Sequence, residues 1–245
     1  MKNYLIRSLY KIKSPIWFAD RSNEGDLYES YRGMHELSLA SFEKNLQGDW
    51  EFIFYEKEVE NIQDVFKDHF FEIYKFWKEN APCNILYCGP DTLMMKPTDV
   101  FGQYENFTMF NYTDPKSFMK ENKCNVSHPH YFNADVRYYP ASMSQHIWDI
   151  GLALAKDWDK TEWDTEQLIL NEMLWQQPDV TLEDIYNPNM NYMAHQLFLD
   201  NWEQSKEISN NWNQSLLKDA NIVHLCGSRL ANKKLELMKA MAKLT

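Results

Sequence analysis

Seven glycines are spread over 245 residues, at positions 25, 33, 48, 89, 102, 151 and 227, and no two stand close enough to build a glycine-rich loop. A phosphate cradle of the GxGxxG or Walker type needs backbone without Cβ atoms at closely spaced positions. A GxSxG elbow needs glycine on both sides of its serine. A Rossmann dehydrogenase, a P-loop nucleotidase and an α/β-hydrolase therefore all lose their main sequence support, and HExxH is absent as well. A substantial core is still expected. Hydrophobic residues make up 44% of the chain and charged residues 25%, and 245 residues suffice for one large α/β domain.

The charge balance narrows the partners. With 25 basic and 36 acidic residues the net charge is −11, whereas a protein that holds nucleic acid by its phosphates normally carries a basic face. No run approaches the 18 apolar residues of a membrane span. Lys2, Arg7, Lys11 and Lys13 interrupt the apolar residues of positions 1–14, so no secretory signal is expected. The four cysteines, at 83, 88, 124 and 226, form no CxxC pair. Free thiols in a cytoplasmic protein are the expectation.

Periodicity predicts an alternation of strands and helices. A first strand covers 2–11, with Tyr4, Ile6 and Ser8 on one face, and a polar loop covers 20–33. A short helix at 35–46 aligns Leu39, Phe42 and Leu46, and a strand follows at 50–55. In the helix predicted at 63–79, Phe66, Phe70, Ile73 and Trp77 make one apolar stripe. The apolar run 84–88 is a buried strand closed by Gly89-Pro90, and apolar character resumes at 92–95. Further strands are expected at 108–111, 130–138 and 221–225. Further helices are expected at 144–158 (Ile147, Ile150, Leu154 and Trp158 inward), 164–177 and 230–244. This is an α/β pattern: one domain over 1–245, with a mixed, mainly parallel sheet flanked by helices. Ligands of such sheets sit at the carboxyl ends of the strands.

Three segments lie at such ends, and a fourth opens a helix. Asp91, just after a buried strand, can hold a divalent cation, although Pro90-Asp91 is also good turn chemistry. Asn133 and Asp135 are two apart on a strand and can offer paired donors and acceptors to sugar hydroxyls. Asp164 and Gln167 have capping-box spacing, and Asn171 lies one turn beyond Gln167. His224, late in a strand, is a structural histidine or a borderline metal ligand. Tyr138, Tyr139 and Trp163 are candidates for stacking on sugar rings. His128-Pro129-His130 is expected to be a loop, and 187–192 a mobile one.

In order, these segments resemble the nucleotide-sugar glycosyltransferases of the GT-A fold, most closely the retaining family 8 group that contains glycogenin and bacterial galactosyltransferases. In that family a strand ends in Asp-x-Asp-Thr, then apolar residues and Lys-Pro. Here Gly89-Pro90-Asp91-Thr92-Leu93-Met94-Met95-Lys96-Pro97 matches except at the first acid. The family's Phe-Asn-Ser/Ala-Gly-Val is met by Phe132-Asn133-Ala134-Asp135-Val136, and its Asp-Gln-x-x-Leu-Asn by Glu166-Gln167-Leu168-Ile169-Leu170-Asn171. Ile185-Tyr186-Asn187 is similar to its Tyr-Asn segment. Its Val-His-Phe-x-Gly is met by Val223-His224-Leu225-Cys226-Gly227.

The resemblance implies transfer of a sugar from a nucleotide-diphosphate sugar to an unidentified acceptor (glycan, protein or small molecule), with retention. By analogy Asp91 and His224 ligate Mn²⁺ or Mg²⁺, which neutralises the departing diphosphate. Ser8, Leu9, Tyr10, Asp91, Thr92, Gly227 and Arg229 contact the donor. Asn133, Ala134, Asp135 and Asn171 face the sugar and acceptor, and Glu166 and Gln167 flank the anomeric carbon. Glu166 serves as nucleophile or as stabiliser of an oxocarbenium-like state. Residues 1–130 form the nucleotide-binding half. Residues 131–245 form the acceptor half with the C-terminal helix.

Four departures bear on activity. Gly89 replaces the first acid, leaving two protein metal ligands instead of three. Asp135 stands where the family has glycine and can return a carboxylate or narrow the acceptor pocket. Glu166 in place of Asp adds a methylene that can shift the carboxylate by about 1 Å. The family's Lys-Pro-Trp after the last glycine is missing, which leaves Arg229, Lys233 or Lys234 as the positive charge for the diphosphate. A non-catalytic sugar- or nucleotide-binding module is the alternative.

Overall fold

The computed structural model describes residues 1–13, 27–99, 101, 104–113, 131–156, 165–177, 194–198, 207, 220–226 and 231–245. The central strand β1 (Lys2–Ile12) is buried continuously from Tyr4 to Leu9, not on alternate residues, because protein covers both its faces. It pairs in parallel with β2 (Trp50–Val59) on one side and β3 (Cys83–Cys88) on the other. Beyond β3 come β6 (Tyr131–Tyr139) and the edge strand β5 (Thr108–Thr113), giving the order β2-β1-β3-β6-β5. Strand β6 runs against both its neighbours. Four of the five strands therefore share a direction and β6 alone opposes them, as expected of a mixed, mainly parallel sheet. A second sheet has the order β4 (Thr92–Met94), β8 (Ile222–Cys226), β7 (Ala194–Phe198).

Helices flank the sheets. The polar loop expected at 20–33 gives way, from Leu27 onward, to α1 (Leu27–Asn45), longer than the predicted 35–46. Local composition misleads here because Gly33 looks like a breaker. A Cβ at Gly33 would lie 3.2 Å from the Leu235 methyls, so the glycine marks where α1 and the last helix, α5 (Ala231–Met241), approach closely. Packing outweighs the helix propensity of one residue. Helix α2 (Ile62–Asn80) starts at a reciprocal cap. Asn61 Oδ1 accepts the N–H groups of Gln63 and Asp64, and the Asp64 carboxylate accepts the Asn61 N–H. Its buried face is Val65, Phe70, Ile73 and Trp77, with Phe66 only partly buried.

Helix α3 (Gln145–Ala155) buries Ile147, Trp148, Gly151 and Ala155. Leu154, expected inside, is 42% exposed, and Trp158 lies outside the described residues. The helix is turned so that Gly151 faces α4 (Thr165–Trp175) and α2. A Cβ there would meet Met173 Sδ at 2.4 Å and Phe70 Cζ at 2.9 Å. Tyr138 and Tyr139, candidates for sugar stacking, are buried instead. Tyr139 lies parallel to Trp148 at 5.3 Å, and Tyr138 packs against Phe101 and Tyr104. A strand covered on both sides by apolar layers leaves neither ring a surface to offer. Among the described residues no helix is long and apolar enough to cross a membrane.

Candidate active site

The site grows from the turn between β3 and β4. Thr92 Oγ1 donates to the Gly89 carbonyl at 2.7 Å, and Arg7 Nη2, from β1, donates to the same oxygen at 2.9 Å. Ser38 Oγ donates to the Thr92 carbonyl, and the Asp91 carbonyl accepts Leu225 N–H at 2.9 Å. Every link is between an oxygen and a donor on a different element, so the turn holds Asp91 in one place. Thr92, expected at the donor, is fully buried with its hydroxyl closing this turn. Its part is structural.

Asp135 arrives from an irregularity in β6. Met109 pairs with Arg137 and Asn111 with Asn133, so one residue of β5 faces the three from Ala134 to Val136. Such a bulge re-aims a side chain at a strand's end. Asn133 Oδ1 accepts Asp135 N–H at 2.8 Å, and the Asp135 carbonyl accepts Gly89 N–H at 2.8 Å, which pins the bulge from both sides. The Asp135 carboxylate then occupies the space beside Gly89. A Cβ on Gly89 would stand 2.8 Å from Asp135 Oδ1 and 3.1 Å from Asp91 Oδ1. A side chain at 89 therefore needs the Asp135 carboxylate to shift, so an acid at 89 would crowd the acid at 135.

Asp91, Asp135 and His224 offer ligand atoms that all lie within 4.8 Å of one another. His224 Nε2 is 3.2 Å from Asp135 Oδ2 and 3.6 Å from Asp91 Oδ1. Lys234 Nζ, from α5, is 2.5 Å from Asp91 Oδ2. Burial pushes the Asp91 carboxyl up, but Lys234 and His224 outweigh it and hold the group well below the usual range. Burial also raises Asp135, with Asp91 adding to the effect against the pull of His224. Burial opposes charge on His224, and the two carboxylates overcome it, so its pKa is raised.

The donor set passes a fit test for a divalent ion. Ligands about 2.1 Å from one ion stand about 3.0–3.5 Å apart, close to the two separations found here. Two carboxylates with one imidazole suit Mn²⁺ better than Mg²⁺, which prefers oxygen alone.

Glu166, on the first turn of α4, is 4% exposed. Its Oε1 lies 2.7 Å from Arg137 Nη1 and its Oε2 3.5 Å from His69 Nδ1. Burial opposes ionisation, and Arg137 and then His69 outweigh it, so the carboxyl titrates below its ordinary value. Arg137 also lies over the Tyr87 ring at 4.1 Å. His69 Nε2 is 2.8 Å from Ser8 Oγ, and Tyr87 OH is within 3.1 Å of the same nitrogen. Tyr10 OH donates to Asp68 at 2.6 Å, and Ser8 and Leu9 are both buried, so of the three expected donor contacts only Tyr10 keeps side-chain surface to give.

Gln167 and Asn171 brace β6. Gln167 Oε1 accepts Ala134 N–H at 3.0 Å. Asn171 is fully buried. Its Oδ1 accepts Phe132 N–H at 2.7 Å, and its Nδ2 donates to the Phe132 and Gln167 carbonyls at 2.8 and 2.7 Å. Asn171 therefore holds a strand, not a sugar, because all of these polar contacts are to backbone.

Gly227, Arg229, Asp164, Trp163, His128, His130 and 187–192 lie outside the described residues. Lys233 is exposed, and Lys234 is the lysine that reaches the site. Arg137, His69 and Arg7 escaped the sequence reading. A usable signal existed for the arginines: each interrupts an apolar strand, and a charge on a buried strand demands a partner. His69 carries no such mark, since it lies on a helix among charged neighbours.

No protein-family model matches the sequence, and no curated protein matches it. Among solved structures, the chain is similar to a glycosyltransferase involved in the glycosylation of the major capsid of PBCV-1. That match has 14% identity and a TM-score of 0.40, over 97% of this chain and 98% of that one. It is also similar to the glycosyltransferase GlyE of Streptococcus pneumoniae TIGR4, at 14% identity and a TM-score of 0.48, over 99% of this chain but only 62% of the GlyE chain. The apo form of GlyE gives a TM-score of 0.49. At 14% identity and TM-scores below 0.5 these likenesses carry no argument, and function has to be argued from the chain's own residues.

Proposed function

We propose that the chain is a glycosyltransferase that moves a sugar from a nucleotide-diphosphate donor to an acceptor, with retention. The observation that carries the reading is the convergence of Asp91, Asp135 and His224 within 4.8 Å, where the turn after β3 meets the middles of β6 and β8, in a chain whose motifs run in the order of family 8. These three residues would hold Mn²⁺ or Mg²⁺, and when bound the ion supplies Lewis-acid neutralisation of the leaving diphosphate. Tyr10 would face the nucleoside and Asn133 the sugar, whereas Ser8 and Ala134 are buried and hold their neighbours instead. Residues 1–130 serve mainly the nucleotide and 131–245 mainly the acceptor.

For Glu166 the geometry favours stabilisation over nucleophilic attack. Arg137 and His69 face its two oxygens, and a carboxylate so engaged has little freedom to form a bond. It stays ionised and fixed, which is what stabilising developing positive charge at an anomeric carbon requires. Its burial also favours a second reading, a binding module that holds a nucleotide or sugar without turnover.

Thermal melts with nucleoside diphosphates and nucleotide sugars, each with Mn²⁺, Mg²⁺ or chelator, test both readings. A ligand at 100 times its Kd stabilises by about 2.7 kcal/mol. A chelator-sensitive shift with one nucleotide sugar, followed by donor hydrolysis, supports the transferase. A shift without hydrolysis supports the module. No shift with any nucleotide or nucleotide sugar overturns the transferase and leaves the module as the reading. Glu166→Gln is a valid catalytic control only if its melt is measured too, since unpairing buried Arg137 costs about 3–5 kcal/mol.

A further inference from the structure

The first turn of α5 delivers Lys234 into the space of the metal-ligand group. Its side chain is 1% exposed, and its Nζ lies 2.5 Å from Asp91 Oδ2 and 5.7 Å from the centre of the Tyr31 ring. We propose that Lys234 is a built-in counter-cation that a divalent ion must displace, so that ammonium and metal are alternative partners of one carboxylate. The inference rests on the metal-assisted reading above and concerns how that site is loaded.

Two features of the geometry carry it. First, the two oxygens of Asp91 are divided between two neighbours: Oδ1 faces His224 Nε2 at 3.6 Å, and Oδ2 is held by Lys234. An ion shared by Asp91, Asp135 and His224 would bind beside Oδ1, one carboxylate's width from the ammonium. Two like charges that close, beside the buried Asp91 and Lys234, repel with little screening. Second, Asp91 already has a cationic partner, because Lys234 Nζ holds its Oδ2 at 2.5 Å inside the fold. A metal gains a ligand only by breaking a pair that is already formed.

The exit is chemical as well. Lys234 sits on a flexible four-carbon stem, and a diphosphate beside the metal offers the displaced ammonium a new anionic partner. Metal and diphosphate then strengthen each other's binding by the same factor, since coupling between sites is reciprocal. Metal alone binds weakly because it competes with Lys234 for the Asp91 carboxylate.

Titration of the full chain with Mn²⁺ alone tests this, with the free hexaaqua ion followed by electron paramagnetic resonance. Lys234→Met removes the competing charge and is expected to bind Mn²⁺ at least tenfold more tightly than the wild type. Lys234→Arg keeps the charge and stays within about threefold. If Lys234→Met fails to fold with Asp91 unpartnered, Lys234→Gln keeps a hydrogen-bond donor without the charge and is expected to show the same gain. Folded Met or Gln variants that bind Mn²⁺ no more tightly than a wild type that does bind it overturn the counter-cation and leave the metal site standing. If wild type and every folded variant leave Mn²⁺ free, the metal site falls, and the counter-cation falls with it.

Discussion

Asn171 matches a motif residue expected at the sugar, yet its side chain makes three hydrogen bonds to backbone and is fully buried. Asn171→Ala leaves the buried N–H and C=O of Phe132 without these partners. The expected loss is about 1–3 kcal/mol in urea unfolding. A variant that stays as stable as the wild type yet loses its donor-induced melting shift would return Asn171 to the ligand. A single sequence does not separate these roles, because an amide that holds a sugar and an amide that holds a strand are the same residue at the same spacing. Glu166 shows the converse. Its chemistry could be inferred from the motif, but Arg137 and His69, which decide its charge, lie 29 and 97 residues away in the chain.

The turn after β3 and the bulge in β6 act as a pair, since the first leaves room that the second fills. Removing a ligand should cost at least as much as removing an outer partner, about 10–100-fold in metal affinity. Asp135→Gly is therefore expected to weaken Mn²⁺ binding by about tenfold or more. Gly89→Asp alone forces a second carboxylate against Asp135 and is expected to lower the melting temperature without improving affinity. Joining the two substitutions moves the acid from one strand to its neighbour and should recover most of the affinity. If the double variant binds no better than Asp135→Gly, the two positions do not share one carboxylate's place. Most helices and strands could be predicted from periodicity, because amphipathic stripes such as Phe70, Ile73 and Trp77 are local. The bulge could not, since it depends on the register of β5 against β6.

Two buried groups among the described residues contribute to acid stability in different pH windows. His35, stacked on Phe54 at 4.2 Å, has its pKa lowered to about 4 by burial and by the nearby Arg7 charge. Unfolding restores its ordinary value of 6.5, so the unfolded chain takes up the proton first and stability falls as pH drops from 6.5 to about 4. Glu166 titrates below its ordinary 4.5 in the folded state, so its contribution is present above that value and is lost only below it. Urea unfolding from pH 8 to pH 3 measures both. His35→Phe is expected to flatten the difference between pH 6.5 and 4 relative to the wild type while leaving the loss below pH 4.5. Parallel curves for the two proteins above pH 4.5 would mean that His35 does not titrate as a buried neutral group.

What the amino-acid sequence determined by itself was the class of fold, the excluded glycine-loop enzymes and the order of the ligand-bearing segments. Each follows from local spacing, and local spacing is enough to set periodicity, turns and the residue types at strand ends. Only the tertiary structure decided which groups meet. It brought Asp135 beside Gly89, drew Lys234 from the last helix onto Asp91, and enclosed Glu166 between Arg137 and His69. Those pairings join residues 29 to 143 positions apart in a low-dielectric interior, where a charge is tolerated only beside a partner and the fold alone chooses which partner is near.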